Sequence, residues 1–181
     1  SKKAINLVKA AKKCGADYIK FQIFKPENVV TNKAKKSKYQ KLNSKDNETQ
    51  KNMIEKFFLN YSFFKKIKKE CKKNKIKFLC SPFDIESLMF LNSMGEKMIK
   101  IPSGEITNYP YLKTIGSLKK RIILSTGMSN LLEIKEALKK IIKAGTKKNH
   151  ITLLHCITSY PAPFECLNLK AINLIKKTFN V

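Results

Sequence analysis

Two lysines stand inside short apolar runs, where an unpaired charge is costly. Lys20 lies in YIKFQIF (residues 18–24) and Lys100 lies in MIKIPSGE (residues 98–105). An ammonium group buried without a partner destabilises a protein, and two inward lysines from different strands repel each other unless an anion lies between them. The pair therefore predicts a site for a small, highly charged anion. A lysine that reaches out to solvent is the alternative for each of them.

Hydroxyl side chains stand where the apolar runs end: Ser81, Ser103, Ser125, Thr158 and Tyr160. Gln22 lies two residues after Lys20, so on a strand both side chains face the same side. Ammonium groups, hydroxyls and turn amides together can cradle phosphate and carboxylate oxygens. Serine is also common in turns, so a single serine at the end of a run indicates little. A binding site is favoured because all these runs end in polar residues.

A carboxylate follows one of these runs. Glu105 lies two residues beyond Ser103 in the sequence PSGE. In a pocket rich in lysine we expect it to stay ionised, as a general base or as an electrostatic partner of the lysines. The alternative is a structural role as the acidic residue at the start of the next helix.

Helix and strand patterns alternate along the chain. Apolar periodicity and turn residues predict strands over 17–24, 75–80, 97–102, 121–125 and 151–156. The same reasoning predicts helices over 2–14, 50–59, 61–73, 84–94, 109–118, 130–144 and 168–178, with Asp84 as an N-cap and 26–50 as a long loop. Strands separated by helices imply right-handed crossovers and a parallel sheet.

The polar residues cluster at the carboxyl ends of the predicted strands, where parallel α/β folds bind ligands. The chain contains neither GxGxxG nor GxxxxGK[ST], which disfavours a dinucleotide fold and a P-loop. Because every strand contributes polar residues, we expect a partial TIM (β/α)₈ barrel with five of the eight parallel strands. A full barrel needs about 250 residues. We therefore expect residues 1–181 to be a fragment of a single barrel domain, without the first strand and the last two.

The formal net charge of +25 is high enough to suggest a nucleic-acid-binding protein. The lysines are spread over almost every predicted helix, and Arg121 is the only arginine, whereas nucleic-acid surfaces usually use arginine for bidentate contacts. The lysines are thus best explained as residues on the solvent-exposed faces of helices. A basic polyanion-binding module is the alternative. No apolar run approaches the ~20 residues of a membrane helix. We expect a cytoplasmic protein with neither a nucleic-acid nor a membrane partner.

The ordered strand endings KFQ, CSPFD, KIPSGE, LSTGM and HCITSYPAPFE resemble the sialic acid synthase family, which includes legionaminic and pseudaminic acid synthases. The resemblance covers essentially the whole chain. It implies the N-terminal barrel of an enzyme that condenses phosphoenolpyruvate with an N-acylated aminosugar similar to N-acetylmannosamine. The products are a nine-carbon 2-keto acid and phosphate.

The resemblance also implies roles for individual residues. Phosphoenolpyruvate would be held by Lys20, Ser81, Lys100, Ser103, Ser125 and Thr158. Gln22, Glu105 and Tyr160 would lie near the sugar or the reacting centre, and we expect Glu105, Gln22 and Lys100 to be catalytic. A divalent metal, Mn²⁺ or Mg²⁺, would polarise the aldehyde, with its ligands beyond Val181. Members of the family usually complete the site in a homodimer through a C-terminal antifreeze-like domain that this chain lacks, so we expect the isolated chain to be inactive.

Overall fold

The computed structural model describes residues 2–42 and 48–181, and it confirms the predicted α/β class with parallel strands. Each of the five predicted strands is present, within a few residues of its predicted bounds. They are β1 (Tyr18–Ile23), β2 (Lys77–Pro82), β3 (Met98–Ile101), β4 (Arg121–Ser125) and β5 (Ile151–Leu154).

The helices of the described residues are α1 (Lys2–Lys13), α2 (Pro26–Val29), α3 (Lys38–Leu42), α4 (Gln50–Glu55), α5 (Tyr61–Lys73), α6 (Ile85–Ser93), α7 (Tyr109–Ser117), α8 (Leu131–Lys143) and α9 (Lys170–Phe179). The prediction of a loop over 26–50 is wrong in part, because α2 and α3 form there. Proline in the first turn of α2 supplies the φ angle that a helix start needs. Residues 43–47 of the predicted loop lie outside the described residues. Within 2–42 and 48–181, no helix is both long and apolar enough to cross a membrane.

The strands form two parallel groups that lie side by side. β1 pairs with β2, β4 pairs with both β3 and β5, and β2 is in contact with β3. The register places Gln22 opposite Ser81 and Lys100 opposite Ile123. Because all the strands run the same way, their carboxyl ends meet at one edge of the structure, as in a sector of a (β/α)₈ barrel.

Alternation along each strand separates the core from the inner face. Ile99 and Ile101 are fully buried against the helices, so Lys100 between them points to the opposite side. In β1, Ile23 is buried on the helix side, while Lys20 and Gln22 face inward and stay exposed. The helices therefore cover one face of the strands, and the polar residues share the other.

Asp84 fixes the start of α6 as predicted, and it also ties α6 to the chain that follows β1. Its Oδ1 accepts a hydrogen bond from the Ser87 backbone N–H at 2.7 Å, and its Oδ2 accepts one from the Lys25 N–H at 2.9 Å. A helix cap of this kind is worth about 1 kcal/mol. Here it also holds the ends of β1 and β2 in a fixed relation.

Replacing Gly116 by alanine is expected to destabilise the fold by about 1–3 kcal/mol through overpacking. A Cβ at Gly116 would lie 2.6 Å from the Ile141 carbonyl oxygen and 2.7 Å from the Ala144 Cβ, so α7 and α8 would have to separate. This cost outweighs the gain of about 1 kcal/mol from alanine's helix propensity. Thermal unfolding measures the effect. Gly104→Ala is the matched control, because nothing lies within 4 Å of a Cβ there. Equal melting temperatures for the two variants would contradict the close helix packing.

Candidate anion-binding site

A cavity of about 640 Å³ lies on the inner face at the carboxyl ends of the strands. Eight of the nine predicted site residues line it: Lys20, Gln22, Ser81, Lys100, Ser103, Ser125, Thr158 and Tyr160. They come from all five strands or from the turns just after them. The strand order and register thus bring together residues that are up to 140 positions apart in the chain.

The two lysines share this cavity, although they are less buried than the sequence predicts. Lys100 is half-buried, and Lys20 is exposed because its only strand neighbour in the described residues is β2. Desolvation lowers the pKa of both ammonium groups. Repulsion from Lys20 lowers the pKa of Lys100 further, so the two charges are close enough to repel each other.

Removing the Lys20 charge is expected to raise the pKa of Lys100, because like-charge repulsion is one cause of its lowering. Desolvation remains in Lys20→Gln, so the pKa should still lie below the ordinary lysine value. NMR titration after reductive methylation with ¹³C-formaldehyde follows the Lys100 signal. Lys113→Gln, an exposed lysine of α7, is the control. An unchanged Lys100 titration in Lys20→Gln would show that the two ammonium groups do not interact.

Two serine hydroxyls in the cavity wall are buried without a hydrogen-bond partner among the described residues. Ser81 is 1% exposed and Ser125 is 2% exposed, and the Oγ of each lacks a partner. An unsatisfied buried polar group costs about 1–3 kcal/mol. Such a cost is removed when a ligand accepts the hydrogen bond, so these hydroxyls mark where a bound anion would be held.

The turn after β4 contacts two residues of the cavity wall, Ser103 and Thr158. Thr126 donates from both its N–H and its Oγ1 to the Leu154 carbonyl, at 3.0 and 2.9 Å, which fixes this turn against β5. The next residue, Gly127, donates its N–H to the Ser103 Oγ at 3.0 Å. A Cβ at Gly127 would lie 2.6 Å from the Thr158 Cγ2. Glycine is therefore required here for Ser103 and Thr158 to approach the turn.

Glu105 is the predicted site residue that does not line the cavity. It ends a 3₁₀ turn over Ser103–Glu105, and its Oε2 accepts a hydrogen bond from the Asn108 side-chain amide at 2.6 Å. Burial raises the pKa of its carboxyl group, the Asn108 hydrogen bond lowers it, and the nearby Asp84 charge raises it. Glu105 therefore does not stand among the lysines that line the cavity. Its catalytic role stays a prediction.

The sequence reasoning missed part of the cavity wall. Ser37, Tyr39, Gln40 and Gln50 belong to the region predicted as a loop, yet all of them line the cavity. The Tyr39 ring lies 5.8 Å from the Tyr160 ring, centroid to centroid, which places an aromatic pair at the mouth. Cys156, which is half-buried, also lines the cavity. Residues 33–51 are rich in lysine, so the sequence predicted a loop there and gave no reason to assign its aromatic and amide residues to the cavity.

A metal ion has no ligand set in the part of the chain that the structure describes. No three His, Cys, Asp or Glu side chains gather there in a way that could hold one. The residues of the cavity supply cations, hydroxyls and amides, which suit an anion rather than Mn²⁺ or Mg²⁺.

The sequence of residues 7–181 matches the NeuB family. An N,N'-diacetyllegionaminic acid synthase of Campylobacter jejuni is 50% identical over 178 residues, which cover 98% of this chain and 53% of that protein. A protein of the same name from Legionella pneumophila is 38% identical, over 98% of this chain and 51% of its own length. The chain thus spans about half the length of the curated relatives it matches.

A similar fold occurs in a solved structure, an N-acetylneuraminic acid (sialic acid) synthetase of Leptospira borgpetersenii in complex with citrate. The TM-score is 0.80 at 26% sequence identity, over 97% of this chain and 56% of that one. The parallel α/β architecture and the order of its elements are therefore shared along almost the whole of this chain.

Proposed function

Because the chain belongs to the NeuB family, we propose that it forms the phosphoenolpyruvate-binding part of an enzyme that condenses phosphoenolpyruvate with an N-acylated aminosugar. The products would be a nine-carbon 2-keto acid and phosphate. The single observation that carries the proposal is the cavity lined by two mutually repelling ammonium groups and by two buried hydroxyls that lack a partner among the described residues. The names of the similar synthases support the same class of reaction.

The cavity residues suit a ligand with a phosphate and a carboxylate. Lys20 and Lys100 would neutralise these two groups, which relieves the repulsion between the ammonium charges. Ser81 and Ser125 would each donate a hydroxyl hydrogen to them. Ser103 accepts from Gly127, so its own hydroxyl hydrogen is left to donate to the ligand. All these donors are in place before binding, which is electrostatic preorganisation.

The proposed reaction keeps the charged groups in place while the bonds change. C3 of phosphoenolpyruvate attacks the aldehyde carbon of the sugar and forms the new C–C bond. Positive charge develops at C2, a water molecule adds there, and one of its protons passes to the oxygen of the former aldehyde. The tetrahedral intermediate then loses phosphate by C–O cleavage, and the remaining hydroxyl proton leaves with the phosphate as the ketone forms. Lys20 and Lys100 hold the phosphate and the carboxylate throughout. The divalent metal that the resemblance implies would have its ligands in the longer protein, beyond Val181.

The resemblance extends the proposal to the setting of the enzyme. We expect the longer protein to be a homodimer in the cytoplasm that contributes to the biosynthesis of surface carbohydrates. The isolated 181-residue chain is expected to be inactive.

Phosphate release tests the proposal directly. The full-length protein should release phosphate from phosphoenolpyruvate only when an N-acylated mannosamine-type sugar and a divalent metal are both present. Citrate, a polycarboxylate found with the Leptospira relative, should compete with phosphoenolpyruvate. Phosphate release at the same rate with and without the sugar would overturn the proposal. So would salt-sensitive binding to nucleic acid in a protein that does not bind phosphoenolpyruvate, since that result favours the polyanion alternative.

A further inference from the structure

A buried tyrosine of α7 reaches the end of a strand that forms part of the cavity wall. Tyr111 is fully buried, and its hydroxyl donates a hydrogen bond to the Pro82 carbonyl at 2.9 Å. Burial raises the pKa of this phenol well above its ordinary value, so it stays protonated and remains a donor. Pro82 ends β2 and directly follows Ser81, whose Oγ lines the cavity and lacks a partner among the described residues.

The end of β2 depends on such a bond because it contains a proline. Proline has no N–H, so Pro82 can be held through its backbone only at its carbonyl oxygen. The residue is buried, and a buried carbonyl left without a donor costs free energy. The Tyr111 hydroxyl supplies a donor to it. The next residue, Phe83, donates its N–H to the Ile23 carbonyl at 3.0 Å, so Ser81 is followed by two anchored residues.

The same tyrosine is tied to the turn that carries Ser103. The Tyr111 backbone N–H donates to the Asn108 Oδ1 at 3.2 Å, and the Asn108 side-chain amide donates to the Glu105 Oε2 at 2.6 Å. Glu105 and Ser103 belong to one 3₁₀ turn. The bonds therefore run from the Ser103 turn through α7 to the end of β2 beside Ser81, and they connect two hydroxyls that line the same cavity.

We propose that Tyr111 is a positioning residue of the anion site, which acts through the Pro82 carbonyl to hold the Ser81 hydroxyl where it can donate to the ligand. The inference rests on the proposed function and deepens it, because it names a residue outside the cavity that sets the affinity for phosphoenolpyruvate. Tyr111 does not line the cavity, so it is not expected to touch the ligand. Hydrogen bonds weaken steeply when their geometry is distorted, so a small shift of Ser81 reduces the affinity.

A double-mutant cycle with Ser81 tests the positioning role. Calorimetry at pH 7 measures the Kd of phosphoenolpyruvate for the full-length wild type, Tyr111→Phe, Ser81→Ala and the double variant. Tyr111→Phe keeps the buried ring and removes only the hydroxyl, so it should weaken binding by about 3- to 10-fold, the usual effect of one hydrogen bond. In the Ser81→Ala background the same change should weaken binding by less than about 2-fold, because the hydroxyl that Tyr111 positions is absent.

Asn108→Ala provides a second route to the same result. Asn108 is exposed, so the variant is expected to fold, and the substitution frees the Tyr111 N–H from the cap of α7. Binding of phosphoenolpyruvate should weaken in the wild-type background, by less than in Tyr111→Phe. It should not weaken further in the Ser81→Ala background.

Thr146→Val is the matched control, because it removes another buried hydroxyl that donates to a carbonyl. The Thr146 Oγ1 donates to the Gly116 carbonyl at 2.9 Å, and neither residue lines the cavity. Thr146→Val should lower the melting temperature about as much as Tyr111→Phe and leave the Kd unchanged. Equal weakening by Tyr111→Phe with and without the Ser81 hydroxyl, or wild-type affinity in both Tyr111→Phe and Asn108→Ala, would overturn the positioning role and leave the proposed condensation intact. No binding of phosphoenolpyruvate by the wild type would overturn both.

Discussion

Replacing Lys100 by methionine is expected to lower kcat/KM for phosphoenolpyruvate by about 10²–10³-fold, the usual loss when one preorganised electrostatic donor is removed. The half-buried Lys100 side chain lines the same cavity as the Ser81 and Ser125 hydroxyls, so its charge would face the ligand in the transition state. Methionine keeps the length and the apolar stem of the side chain. Steady-state phosphate release in the full-length protein measures the loss.

The same substitution should raise the melting temperature of the ligand-free protein at pH 7. The pKa of Lys100 is lowered in the folded state by desolvation and by Lys20, so its charged form opposes folding below that pKa. Stability in the wild type should accordingly rise with pH between the lowered pKa and the ordinary lysine pKa of 10.5, and Lys100→Met should remove that rise. Lys113→Met, at an exposed position, is the control. Loss of both activity and stability in Lys100→Met would point to misfolding and contradict the account.

Gly127→Ala is expected to weaken phosphoenolpyruvate binding by about 5- to 160-fold, since overpacking of this kind costs about 1–3 kcal/mol. The added Cβ would lie 2.6 Å from the Thr158 Cγ2 and 3.0 Å from the Ser103 Oγ. Two of the proposed ligand contacts would be pushed aside together. Titration calorimetry with phosphoenolpyruvate measures the change in Kd.

A second substitution makes this prediction specific. Thr158→Ser removes the methyl group that clashes and keeps the hydroxyl, so Gly127→Ala/Thr158→Ser should recover part of the lost affinity. Thr158→Ser alone should bind close to the wild-type level. If the double variant binds no better than Gly127→Ala, the effect comes from the turn itself and not from contact with Thr158.

The fold class and most of the cavity residues could be predicted from the sequence. Apolar runs of four to eight residues specify the strands, and parallel strands bring their carboxyl ends together. Lys20, Lys100 and Ser81 could thus be assigned to one site without knowledge of any contact between them. Strand alternation alone placed Lys100 away from the helices that bury Ile99 and Ile101.

The parts that could not be predicted depend on packing between distant segments. α2 and α3 lie in a region rich in lysine and asparagine, so their helical pattern is weak, and the role of Tyr39 follows only from its contact with Tyr160. Glu105 follows Ser103 so closely that the sequence placed both in the cavity. The 3₁₀ turn directs the carboxylate to Asn108 instead.

The central claim is that Lys20 and Lys100 bind one anion together. Calorimetric titration of phosphoenolpyruvate at pH 7 into the wild type, Lys20→Gln and Lys100→Gln tests it most directly, with Lys77→Gln on the exposed start of β2 as the control. We predict that each cavity variant binds at least about 10-fold more weakly while the control binds like the wild type. Wild-type affinity in both cavity variants would contradict the claim.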